Sequence, residues 1–84
     1  MFRVVTDRHA VDQIAALPAE VLSSYAEAVT ALEVDPGAGQ PYNAQSPDAA
    51  MRTLTFGPGG SGVVVYLVLE REREVHVLAV QWLG

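Results

Sequence analysis

Residues 62–84 read GVVVYLVLEREREVHVLAVQWLG, and this stretch decides the fold. Two apolar runs, rich in Val and Leu, flank the five consecutive charges of Glu70–Glu74. Val and aromatic side chains suit a pleated strand, and the charged run must stay in water, so the chain reverses direction there. The sequence therefore predicts an antiparallel hairpin that pairs Val63–Leu69 with Glu74–Trp82.

Both faces of this hairpin are mostly apolar. Side chains alternate between the two faces of a strand, and a half-exposed antiparallel sheet normally alternates apolar with polar residues. A sheet that is apolar on both faces needs cover on both. The first face is predicted to hold Val64, Tyr66, Val68, His76, Leu78, Val80 and Trp82, and the second Val63, Val65, Leu67, Leu69, Val75, Val77, Ala79, Gln81 and Leu83.

The composition restricts the class of protein. A chain of 84 residues is expected to form one domain, residues 1–84, and without cysteine it has no disulfide. Five arginines, no lysine and ten acidic residues give a net charge of −5, which argues against binding nucleic acid by neutralising its backbone. The start has no signal-peptide pattern and the longest apolar run is too short to span a bilayer, so a soluble cytoplasmic protein without membrane contact is expected.

The N-terminal half predicts a strand followed by two helices. Phe2–Val5 reads as a short strand, and Thr6 or Asp7 can cap the helix after it. Pro18 separates that helix from a second one, whose apolar stripe runs from Val21 to Leu32. The residues after it form a loop by composition.

Met51–Phe56 reads as the strand that precedes the central hairpin. The predicted element order is β-α-α-β-β-β. It is an α+β fold with a helical hairpin on one face of an antiparallel-rich, four-stranded sheet. Two helices cover only one face, and an exposed apolar face on a small protein usually marks a contact surface. The predicted partner-binding face is Met51, Thr53, Val63, Val65, Leu67, Val77, Ala79, Gln81 and Leu83.

Four segments carry a resemblance to a known family. They are QIAALPAEVLSSYAEAVTALEVDP, PYN, PDAAMRTLTFG and VVVYLVLEREREVHVLAVQWL. Together they resemble the RelE/ParE superfamily, the toxins of bacterial type II toxin–antitoxin systems, over essentially the whole chain. The chain has arginine but no lysine, and in this composition it resembles a divergent actinobacterial member of the superfamily.

The resemblance implies that the open sheet face is the working face. RelE-type members cut messenger RNA on the ribosome with Lys and Arg on that face, ParE-type members poison DNA gyrase, and an antitoxin tail binds both. In this chain, Val63 stands at the position of the family's usual strand arginine, and Met51 and Thr53 stand at basic positions of the preceding strand. We therefore expect a toxin-family protein that acts mainly by protein binding, to an antitoxin or to a second copy of itself, with a degenerate nuclease site.

The alternative is an active ribosome-dependent mRNA endoribonuclease. Its catalytic candidates are Arg52 and His76, with Arg3 drawn beside them; ribosome and messenger RNA are expected as partners only in this case. Arg52 could stabilise developing phosphorane charge, or it could simply pair with Asp48 or Glu33 on the helix side. Histidine can act as a general base near neutral pH, but His76 also fits a solvated strand residue. The spacing of the histidines predicts no metal site, and no cofactor is expected.

Overall fold

The structure is a computed structural model that describes residues 1–46 and 49–84. The helices are α1 (Arg8–Ala15) and α2 (Leu22–Val34), and the strands are β1 (Arg3–Thr6), β2 (Gln40–Pro41), β3 (Met51–Phe56), β4 (Gly62–Leu69) and β5 (Glu74–Trp82). The strands form one sheet in the order β1-β5-β4-β3-β2. β1 runs parallel to β5, and the other neighbours are antiparallel.

The predicted α+β class is confirmed, and the predicted hairpin is β4 against β5. The strand count was wrong, because the sheet has five strands and not four within residues 1–46 and 49–84. The added strand, β2, is only two residues long and lies in the segment that was predicted as loop. It pairs Gln40 with Thr53 and Pro41 with Arg52 at the edge of the sheet. No helix in the described ranges is long and apolar enough to cross a membrane.

Short polar contacts fix the ends of the helices. Asp7 caps α1, since its carboxylate accepts the His9 backbone N–H at 3.2 Å. After α2, the Asp35 carboxylate accepts the N–H of Gly37 at 3.1 Å and begins a single 3₁₀ turn, Pro36–Ala38. The Asp35 cap and this turn lead the chain from α2 to the sheet edge where β2 pairs.

Both helices pack on the same face of the sheet. In β4 the residues Val64, Tyr66 and Val68 are buried, and those between them are partly exposed. Tyr66 and Leu32 are completely buried, so the apolar stripe of α2 meets the face of β4 that was predicted to lie under the helices. The core is Phe2, Ala10, Leu17, Val21, Tyr25, Ala28, Leu32, Phe56, Val64, Tyr66, Val68, Val75, Val77 and Val80.

A β-bulge in β5 corrects the predicted faces of that strand. Val65 pairs with Ala79, but Tyr66 pairs with Val77, so Leu78 is an extra residue. The extra residue shifts the alternation by one position, and it places Val75 and Val77 in the core with no exposed surface. The prediction that Val77 lies on the partner-binding face was therefore wrong. His76 and Leu78, predicted to face the helices, lie on the opposite side.

Candidate functional site

The sheet face that the helices leave uncovered is built from three cross-strand rows. The register aligns Thr55 with Val63 and Gln81, Thr53 with Val65 and Ala79, and Met51 with Leu67 and His76. The bulge residue Leu78 lies beside Ala79 and is also partly exposed. We define the open face as Met51, Thr53, Thr55, Val63, Val65, Leu67, His76, Leu78, Ala79 and Gln81.

The centre of the open face is apolar. Val63, Val65 and Leu67 run along the middle strand, with threonines on one side of them. Among the described residues, no lysine or arginine of β3, β4 or β5 lies on this face, since the one arginine of these strands, Arg52, faces the helices. An uncharged sheet surface is suited to contact with an apolar segment and not with a phosphate backbone.

Leu83 is the last residue of the predicted partner-binding face. It follows the end of β5 and is 79% exposed. It lines a cavity of about 530 Å³ together with Gln81 of the same predicted face and with Leu17, which follows α1. Within the paired strands, the open face ends at Gln81, whose exposed side chain closes the first row.

A polar cluster lies where β1 joins the open face. The Glu74 carboxylate accepts a hydrogen bond from the Arg3 guanidinium, and the Nε2–H of His76 donates to its other oxygen at 2.9 Å. These bonds, first that from His76 and then that from Arg3, hold the pKa of Glu74 below its ordinary value. We call Arg3, Glu74 and His76 the Glu74 cluster. It joins a base, a carboxylate and a cation at one edge of the open face.

Glu74 was not predicted as a site residue. Its two-residue spacing from His76 is the sequence signal, because residues i and i+2 of a strand share a face. Arg3 enters the cluster through the parallel pairing of β1 with β5, which aligns Arg3 with Glu74 and Val5 with His76. In the described parts of the chain, no three His, Asp or Glu side chains are grouped in a way that could hold a metal ion.

The structure does not bring the two predicted catalytic residues together. Arg52 pairs with the buried Tyr66 and so faces the helices, whereas His76 pairs with Leu67 on the open face. The Arg52 guanidinium donates to the carbonyl of Gly39 at 2.8 Å, so it supports the loop after α2. Its predicted partner Asp48 lies outside the described residues.

The loop that Arg52 supports is also fixed from the core. The buried Tyr66 hydroxyl donates to the carbonyl of Pro36 at 2.6 Å. Burial raises the pKa of Tyr66 above its ordinary value, so the hydroxyl keeps the proton that it donates. Gly39 lies directly against this hydroxyl and the Thr53 carbonyl, and leaves no room for a side chain. Arg52 thus helps to hold this corner through its bond to the Gly39 carbonyl.

Solved structures share the whole architecture. The isolated RelE toxin of E. coli superimposes with a TM-score of 0.80 at 14% identity, over 100% of this chain and 86% of that one. The chain has the RelE toxin fold. The toxin–antitoxin complex RelBE2 of Mycobacterium tuberculosis gives 0.76 at 19% identity, over 96% of each chain. The intact E. coli RelBE complex gives 0.79 at 15% identity, over 98% and 96%.

No family model and no curated protein matches this chain by sequence. The likeness to RelE is therefore carried by the backbone: a two-helix layer on one face of the sheet and an open face on the other. Side chains of the open face have to be interpreted from their own chemistry. The open face has an apolar centre, the neutral polar residues Thr55 and Gln81 at the ends of its first row, and the Glu74 cluster at one edge.

Proposed function

We propose that this chain is a RelE-like toxin-family protein of a bacterial type II toxin–antitoxin system, and that it acts mainly by binding another polypeptide. The proposed partner is an antitoxin segment that covers the open face. The fold supports this reading, because RelE chains of the same architecture were solved in toxin–antitoxin complexes from E. coli and M. tuberculosis.

One observation carries the proposal: the open face is apolar at its centre and carries no cation from its three main strands in the described part of the chain. Val63, Val65 and Leu67 form a continuous row that a partner's apolar side chains can cover. Burying apolar surface contributes about 25 cal/mol per Å² before the entropic costs of association. A face of this kind stabilises a protein complex and gives little hold on RNA.

The first prediction places a charge at the centre of this row. In Val65→Glu, binding of the antitoxin should weaken by about 100-fold or more, because the complex would bury an unpaired carboxylate. The partner to use is the protein encoded beside the gene, purified and titrated by calorimetry. Circular dichroism shows whether the variant is folded.

Val11→Glu is the matched control. Val11 is an apolar residue of α1 that is 49% exposed, so the same change adds the same charge away from the open face. It should leave the affinity unchanged. Full affinity in Val65→Glu contradicts the proposal. A chain that forms a dimer by itself, with the dimer lost in Val65→Glu, identifies a second copy as the occupant instead.

A second candidate function, endoribonuclease activity, is favoured by the Glu74 cluster alone. His76 could take the proton of a ribose 2′-hydroxyl as that oxygen attacks the phosphorus, and a proton from water or His76 would reach the leaving 5′-oxygen. Glu74 would orient the imidazole, and Arg3 would stabilise the phosphorane charge. This arrangement replaces the predicted pair of Arg52 and His76.

The second prediction separates this activity from protein binding. If the cluster is catalytic, expression of the chain alone cuts cellular messenger RNA, and His76→Ala lowers the cleavage rate by about 100-fold or more. His9→Ala is the control, because His9 is exposed on α1. Our primary proposal predicts no cleavage above background from the wild-type chain. Cleavage that His76→Ala removes and His9→Ala retains would overturn that reading.

A further inference from the structure

The open face contains one histidine. His76 lies in the row of Met51 and Leu67, with Val5 of β1 on its other side. Its side chain is 34% exposed, so it is part of the surface that a partner would cover. The only other histidine of the chain, His9, is on α1.

We infer that His76 makes occupation of the open face depend on pH, with an apolar partner held at neutral pH and released as the imidazole is protonated. This inference rests on the proposed function, since it concerns the same face. A partner that covers His76 removes water from the ring. Loss of water disfavours the charged imidazolium and leaves the neutral form little affected.

The surroundings of His76 compensate only part of this cost. Glu74 on its own strand is the nearest acid, and its carboxylate is shared with Arg3 of β1. β4 presents Leu67 and Leu69 to this corner, and β1 presents Val5, none of them charged. The Glu74 cluster therefore carries no net charge while His76 is neutral and one positive charge once it is protonated.

The sign follows from proton linkage. Covering the face favours the state with fewer bound protons, so the affinity for the partner should rise with pH. One linked proton changes the affinity by at most about tenfold per pH unit. We expect a difference of about three- to tenfold between about pH 5.5 and about pH 7.5.

Nile red is a suitable probe, because it is apolar and uncharged and reports only the state of the protein. Its fluorescence would be titrated with the full chain at both pH values. Val65→Glu should lower dye affinity at both, which locates the dye on the open face. Wild type should bind more tightly at the higher pH, and His76→Gln should bind equally at the two.

Two further variants sharpen the test. His9→Gln should keep the wild-type difference. Glu74→Gln should enlarge it, because it removes the anion that compensates the imidazolium under the cover. This second variant tests the inference even where His76→Gln fails to fold.

The possible results distinguish the pH-dependent role of His76 from the proposed binding function of the open face. Dye binding that is sensitive to Val65→Glu but independent of pH overturns the role of His76 and leaves the apolar face intact. A pH dependence that persists in His76→Gln, or one of the opposite sign, overturns it as well. If Val65→Glu does not change dye binding at either pH, the open face does not bind apolar molecules, and the proposed function is contradicted as well.

Discussion

Replacing Gly39 by alanine is expected to lower the free energy of unfolding by about 2–3 kcal/mol. A Cβ at this position would overlap the backbone carbonyl oxygen of Thr53 and the hydroxyl of Tyr66. The carbonyl belongs to the edge of β3 and cannot rotate away as a flexible side chain can. The clash has to be relieved by moving the loop that follows α2.

Moving that loop breaks more than one contact. The hydroxyl of Tyr66 donates to the Pro36 carbonyl at 2.6 Å from a completely buried position, and Arg52 donates to the Gly39 carbonyl at 2.8 Å. A buried hydroxyl that loses its acceptor costs about 1–3 kcal/mol. The expected loss therefore includes both steric overlap and an unpaired polar group.

Gly37→Ala is the matched control in the same loop. The nearest atom to its added Cβ is the Asp35 carboxylate oxygen at 3.3 Å, and that side chain can adjust. Its effect should stay within about 0.5 kcal/mol. Both variants are measured by urea denaturation followed by circular dichroism. Equal stability in the two variants would mean that the corner between β2 and Tyr66 does not constrain the fold as described.

The hairpin was predictable because its signals are local. β4 contains eight consecutive residues without a bulge, so alternation put Val64, Tyr66 and Val68 together on one face, which is the face under the helices. The same alternation in β3 put Met51 and Thr53 on the face opposite to Arg52. Charges at the turn fixed where the chain reverses. In these strands, period and composition point to the same structure.

Two structural features had no comparable signal. β2 is a two-residue strand that contains a proline, and it pairs where the turn capped by Asp35 brings Gln40 to β3. The Glu74 cluster depends on a contact between residues 71 positions apart, from Arg3 to Glu74. That contact follows from the parallel pairing of β1, which no pattern within either segment encodes.

The bulge in β5 is the feature that changed the candidate site most. Val75, Val77 and Val80 do not share one period-two face, yet all three are buried. Every residue from Val75 to Val80 except His76 is apolar, so the sequence gives no contrast by which to locate the extra residue. An uninterrupted apolar run therefore indicates that a strand is present, but it does not show which residues face the core.

Deletion of Leu78 is accordingly expected to leave the fold intact, with a change in the free energy of unfolding within about 1 kcal/mol. Val65 pairs with Ala79 and Tyr66 with Val77, so removing the residue between those partners makes the pairing continuous. Val75, Val77 and Val80 all keep their places in the core. A deletion in a central strand is ordinarily severe, and tolerance here is a direct consequence of the bulge.

Deletion of Val65 is the control on the neighbouring strand. β4 is paired on both sides and has no extra residue to absorb the loss, so either Val64 or Tyr66 has to turn out of the core. We expect a loss of more than about 4 kcal/mol, enough to unfold a domain of this size. Urea denaturation and the dispersion of amide resonances distinguish the two deletions. An unfolded Leu78 deletion beside a folded Val65 deletion would contradict the register on which the open face is defined, and would return Val77 to that face.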